Sequence, residues 1–135
     1  PETNFFHFNV DLAQGPCVIK RLRGCGAGCE YVAITPEGDI YPCHQFVGNE
    51  DYKLGSLYDG TFDKELSGRF AGLNIYTREE CRDCWARFYC SGGCSASNLL
   101  VNGDIKKPHR VGCELERKRL ECAIALRAIA AGMAE

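Results

Sequence analysis

The chain carries almost no excess charge. Its 16 basic and 18 acidic residues leave a formal net charge of −2. No basic stripe interleaved with aromatics runs through it, so a nucleic-acid interface is not expected. No apolar run approaches the roughly 20 residues that a membrane helix needs, which excludes that class of membrane protein. A charged-then-apolar leader is also absent, so a cytoplasmic location is expected. The start at Pro1 reads as a fragment or a processed form. Internal repeats and low-complexity segments are lacking too. At 135 residues the chain has one domain's worth of sequence.

What the chain has is cysteine. Ten thiols in 135 residues are about 7%, just below the roughly 8–10% that marks a short disulfide scaffold. With 45% hydrophobic residues, the chain does not need crosslinks to replace a core. Four of the thiols fall within one stretch, Cys81, Cys84, Cys90 and Cys94, spaced C-x2-C-x5-C-x3-C. Two intervening residues let one turn present two sulfurs to a single metal centre. The same closeness is poor geometry for a disulfide. A fourth thiol so near the third need not serve the same centre, as in two-cluster ferredoxins. Metal–sulfur centres are therefore expected, with a structural zinc module of two four-cysteine sites and a disulfide-rich domain as the rivals.

The rest of the pattern predicts a small, loop-rich α+β fold with two β-hairpins, short helices and a C-terminal helix. Residues 5–12 alternate, with Phe6, Phe8, Val10 and Leu12 on one side, which predicts a half-buried strand ending at Gln14-Gly15-Pro16. Cys17 to Gly28 is basic and glycine-rich and reads as a loop. Tyr31 to Cys43 predicts a hairpin around Pro36-Glu37-Gly38-Asp39, bringing Cys43 back towards Cys25 and Cys29. Phe62, Leu66 and Phe70 stand at helical spacing. Thr77-Arg78-Glu79-Glu80 has the form of a capping box, so a helical turn should begin just before Cys81. A second hairpin is predicted from Asn98 to Val111 around Asn102-Gly103-Asp104. A helix should follow from Glu114, with Leu115, Cys122, Leu126, Ile129 and Met133 on one apolar face.

Written out, the thiols read Cys25-x12-Gly38-x4-Cys43, a gap, Cys81-x2-Cys84-x5-Cys90-x3-Cys94, a gap, then Cys113. This resembles the SPASM domain, the C-terminal extension of radical S-adenosylmethionine enzymes that modify peptides and proteins. The likeness covers about residues 25–113. It implies two auxiliary [4Fe–4S] clusters, one held by Cys81, Cys84, Cys90 and Cys113 and the other by Cys25, Cys43 and Cys94. Seven thiols divide as four and three, so the second cluster is one protein ligand short. Either Cys29 or Cys17 completes it, or an iron stays open to substrate or solvent. Cys122 is expected to be a small core residue.

The resemblance also implies what lies elsewhere. Radical S-adenosylmethionine chemistry starts at a C-x3-C-x2-C motif. Cys25-x3-Cys29 begins that spacing, but Val32 stands at the third position. The S-adenosylmethionine site and a third cluster are thus expected in a barrel domain outside this chain. Residues 1–24 then read as a strand and linker left from that barrel, residues 25–114 as the two-cluster domain, and residues 115–135 as a helix packing on it. No turnover is expected from the chain alone. The segments Phe5-Phe6-His7-Phe8, Gly15-Pro16-Cys17, Gly24-Cys25-Gly26-Ala27-Gly28 and Tyr41-Pro42-Cys43-His44-Gln45-Phe46-Val47-Gly48 are similar to the maturases of SCIFF peptides. Those enzymes join a cysteine sulfur to an α-carbon as a thioether. The implied partners are the barrel, a cysteine-bearing ribosomal precursor peptide and an external electron donor.

Overall fold

A computed structural model describes residues 5–15 and 17–133. Residues 1–4, Pro16 and residues 134–135, which fall in the expected linker and C-terminal segment, lie outside the described residues. The fold is a small α+β arrangement. Strands β1 (Ala33–Ile34), β2 (Asp39–Tyr41), β3 (Gly55–Ser56) and β4 (Thr61–Phe62) form one antiparallel sheet in sequence order. The helices are α1 (Val18–Arg23), α2 (Lys64–Ala71), α3 (Arg87–Cys90), α4 (Ser95–Asn102) and α5 (Arg110–Ala130).

The first hairpin forms where the turn chemistry put it. Ala33 pairs with Tyr41 and Ile34 with Ile40, and Gly38 turns the chain with φ of 82°, a conformation that glycine adopts without a Cβ clash. Strands β3 and β4 extend this hairpin, with Gly55 opposite both Ile40 and Phe62. Helix α2 starts where Asp63 accepts a hydrogen bond from the Leu66 N–H at 2.8 Å, the capping geometry of a helix N-terminus. Its Leu66 and Phe70 are buried, whereas Phe62 stays exposed in β4. Phe70 meets Phe46 edge to face, with ring centroids 5.4 Å apart. Around this pair gather Ile40, Tyr41, Leu54, Leu73 and Ile105. The core thus joins the sheet to α2 and includes Cys43 itself.

Four expectations fail for local reasons. Residues 5–12 are not a strand: Phe6–Phe8 is a 3-10 turn. No neighbouring strand is offered to it among the described residues, so the backbone bonds locally, Phe8 N–H to Phe5 carbonyl and Asn9 N–H to Phe6 carbonyl. The burial alternation survives, with Phe8, Val10 and Leu12 half-buried. Part of the expected glycine-rich loop is helix α1, which packs on α3. The second hairpin is instead helix α4, ended by Gly103 with φ of 71°. The turn signal was right but it stops a helix. Finally, α5 begins at Arg110 and not at Glu114, so Cys113 lies in its first turn. Leu120 and Ala123 are its buried residues, while Leu115, Leu126, Ile129 and Met133 are exposed and Cys122 is half-buried.

The N-terminal segment lies along α5. The guanidinium Nε of Arg119 donates to the His7 carbonyl at 2.6 Å, and Tyr89 Oη donates to the Leu12 carbonyl at 3.2 Å. Among the described residues no helix is long and apolar enough to cross a membrane.

Candidate iron–sulfur centres

All ten cysteines are unbridged. Seven of them fall into two neighbouring groups.

Cys81, Cys84, Cys90 and Cys113 line one cavity of about 430 Å3. They arrive from separate pieces of backbone. Cys81 closes the 3-10 turn Glu79–Cys81. That turn forms as expected, but Thr77 does not cap it: the Thr77 hydroxyl bonds the Gly72 and Asn74 carbonyls instead. Cys84 N–H then donates to the Cys81 carbonyl at 3.2 Å, so the C-x2-C pair shares one turn. Cys90 ends α3. Ser91, Gly92 and Gly93 follow with φ of 59°, 86° and 72°, a run of left-handed residues that reverses the chain towards Cys94. Cys113 is brought in by the loop before α5. Asn98, 1% exposed, anchors that loop by accepting from His109 N–H and donating to the Ile105 carbonyl.

Burial pushes the Cys81 thiol up to about 11, with Cys90, Cys113 and Cys84 adding to the shift and Arg78 opposing it. Burial likewise raises Cys90, helped by Glu116 and Cys113. It raises Cys113 as well, where Arg117 opposes and Cys84 and Glu80 assist. Crowded thiols of this kind resist ionising together until a cationic centre sits among them. The cavity wall supplies other cations, Arg87, Lys107, Arg110 and Arg117. One of these arginines, Arg87, has a buried Nε with no hydrogen-bond partner among the described residues. The donor set and the cation lining fit an anionic thiolate-ligated cluster.

The second group is more open. Cys43 is 4% exposed, whereas Cys25 and Cys94 face solvent. Tyr31 touches both Cys25 and Cys43; burial, then the proximity of these two thiols, pushes its phenol up to about 12. Gln45 Nε2 lies 3.6 Å from Cys94 Sγ, so the residue two beyond Cys43 reaches the third thiol. Cys94 is lowered: burial opposes, but the Ser97 N–H and hydroxyl, Ala96 N–H and the Gln45 amide together favour its thiolate. Cys25 and Cys29 share a small recess with Gly93 and Ser95, the residues that flank Cys94. Cys29 therefore stands with this group. Cys17 is exposed at the N-terminal end of α1 and lines neither cavity.

Three contributors were not read from the sequence: Tyr31, Gln45 and Asn98. Gln45 carried the only usable signal, its place two residues after a ligand-type cysteine. Among the described residues, no three His, Cys, Asp or Glu side chains converge tightly enough to share one metal ion. The four thiols of the first group surround a volume, not a point.

Comparison with known proteins bears on the family of the chain. The SPASM family model, described as an iron–sulfur cluster-binding domain, matches residues 25–85. The chain is 28% identical over 102 residues to a PqqA peptide cyclase from Xanthomonas axonopodis pv. citri, covering 70% of this chain and 27% of that protein. It is 31% identical over 111 residues to a mycofactocin maturase from Mycobacterium ulcerans, covering 78% and 29%. It is 28% identical over 86 residues to a serine-type anaerobic sulfatase-maturating enzyme from Klebsiella aerogenes, covering 62% and 20%. The chain thus spans about a quarter of the length of the curated relatives it matches. With the family's cysteine pattern, its matching model and its named relatives in agreement, the chain carries a SPASM iron–sulfur cluster-binding domain.

Proposed function

We propose that this chain is the auxiliary cluster domain of a radical S-adenosylmethionine maturase that builds a thioether, cysteine sulfur to α-carbon, in a ribosomal peptide. The observation that carries the reading is the gathering of Cys81, Cys84, Cys90 and Cys113 around one cation-lined cavity. The relatives named as a peptide cyclase and as maturases support the substrate class. The SCIFF-like segments around Cys25 and Cys43 support the thioether.

Cys81, Cys84, Cys90 and Cys113 would hold one [4Fe–4S] cluster, and Cys25, Cys43 and Cys94 the other, with Cys29 the nearer candidate for a fourth ligand. When bound, such clusters take up and release single electrons, and an iron left without a protein ligand can accept a substrate thiolate. The residues divide that work. Arg87, Lys107, Arg110 and Arg117 offset anionic charge at the first of these sites. At the exposed site, Tyr31 and Gln45 hold polar hydrogens against the thiols. Exposure of Cys25 and Cys94 leaves that site accessible to a peptide thiol. Hydrogen abstraction belongs to the barrel domain, with S-adenosylmethionine and a third cluster, and an external donor supplies electrons.

A mononuclear zinc site is disfavoured by the same geometry, since tetrahedral zinc draws its sulfurs to about 2.3 Å from one point. The test is anaerobic preparation followed by iron, sulfide and zinc quantitation with paramagnetic resonance. About eight irons with matching sulfide per chain is the expected result for two four-iron centres. A folded chain free of iron, holding zinc instead, would overturn the reading.

A further inference from the structure

Arg78 lies between the two thiol groups. It is 3% exposed, and its backbone carbonyl accepts the N–H of Cys81 at 3.0 Å. One terminal nitrogen donates to the Ile105 and Lys106 carbonyls at 2.6 and 2.8 Å, and the other to Ser95 Oγ at 3.0 Å. Ser95 directly follows Cys94. The stem of the side chain passes Gly92, where an added Cβ would come within 2.8 Å of both Arg78 Cδ and Nε. Gly92 in turn lines the cavity of Cys81, Cys84, Cys90 and Cys113. One guanidinium is thus hemmed in by backbone belonging to both groups.

Its hydrogen bonds go to neutral acceptors. No ion pair to Arg78 forms among the described residues. Burial pushes its guanidinium below the usual value, while Cys81, Asp104, Cys90 and Cys94 pull the other way. An arginine keeps its proton even so. A buried cation without a carboxylate is costly unless other negative charge faces it. A neutral donor would serve if bracing the 105–106 carbonyls were the whole task.

We infer that Arg78 is a shared positioning residue for both cluster sites, its charge favouring the more reduced state of each. The inference rests on the cluster assignment proposed above. Adding one electron to either centre makes it one unit more negative, and a fixed cation between them lowers the energy of that state at both. Arg78 then links the two sites electrostatically, and Gly92 is the residue that gives it passage.

The test is a redox titration of the full chain with dithionite as electron source, followed by paramagnetic resonance, in wild type, Arg78→Gln and Arg78→Lys. Iron and sulfide are counted first: wild type without iron refutes the cluster assignment itself, and with it this role. With iron present, Arg78→Gln should lower the reduction equilibrium constant of both centres by about tenfold, about 59 mV for one electron. Arg78→Lys should stay within about twofold of wild type. An Arg78→Gln protein that keeps its iron with either potential unmoved overturns the shared role. If Arg78→Gln loses iron, Arg78→Lys decides: both potentials retained supports the role, and a tenfold change at either overturns it. Loss of iron in both variants makes Arg78 a structural brace only and also overturns the inference.

Discussion

Gln45 Nε2 and Cys94 Sγ approach to 3.6 Å across 49 residues of sequence. The contact ties the segment after Cys43 to the start of α4, so two thiols from distant parts of the chain share one site. Gln45 is exposed, and its side chain has no core role. Gln45→Ala should therefore leave stability and iron content unchanged while removing one N–H···S bond. At about 1 kcal/mol for such a bond, one centre's potential should fall by about 40 mV. A redox titration that shows both centres moving equally, or neither, would contradict the placement of Gln45 at a single site.

One cysteine of the seven-residue pattern, Cys84, and the three outside it, Cys17, Cys29 and Cys122, separate by position. Cys84→Ala should cost one centre and about half of the iron, because its thiol lines the enclosed cavity. Cys29→Ala should alter only the spectrum of the second centre, since Cys29 shares a recess with Cys25. Cys17→Ala should leave both spectra as they are, given its exposed place beside α1. Cys122, half-buried on α5, should tolerate alanine with full iron and a loss of at most about 1 kcal/mol. Iron quantitation and paramagnetic resonance across the four variants check the whole set.

How much of this was readable beforehand depended on what kind of signal each element carried. Ligand spacing and turn chemistry are local, so Cys81-x2-Cys84 and the Gly38 hairpin formed as expected. The strand expected over residues 5–12 failed because alternation reports a two-sided environment, not a hydrogen-bonded partner. At Asn102-Gly103 the same dipeptide ends a helix as readily as it makes a hairpin, and only the packing of Ala96 and Asn98 into the interior distinguishes the two. Strands β3 and β4 are two residues each, too short for any period. In the sequence Arg78 stands out only as part of the Thr77-Arg78-Glu79-Glu80 capping box. Its importance comes from backbone 27 and 28 residues away, which no spacing rule reaches.

Gly55 is the tightest backbone position in the sheet. Its φ is 149°, and a Cβ there would lie 2.0 Å from the Thr61 carbonyl oxygen and 2.6 Å from its carbon. Both obstacles are backbone, so relief requires β3 and β4 to part. Gly55→Ala should cost about 3 kcal/mol or more, measured by chemical denaturation. Gly60 is the matched control. It has φ of 67° and open space where a Cβ would go, so Gly60→Ala should cost only the left-handed strain of about 1–2 kcal/mol.

Gly28 couples the core to the second thiol group. Its N–H donates to the Tyr31 and Pro42 carbonyls, both at 2.9 Å, and its carbonyl accepts from Ser67 Oγ at 2.7 Å. A Cβ would stand 2.8 Å from Phe70 Cγ, at φ of 80°. Gly28→Ala should push the Cys25–Cys29 loop away from Cys43, disturbing the second centre and sparing the enclosed one. Phe70→Ala alone should cost about 3–5 kcal/mol by emptying the core. In the double variant the collision disappears because the ring is gone, and only the left-handed strain remains. The two losses should then sum to less than their separate values by about 1–3 kcal/mol, with the second centre's spectrum partly restored. Additive losses would mean that contact with Phe70 is not what holds the loop in register.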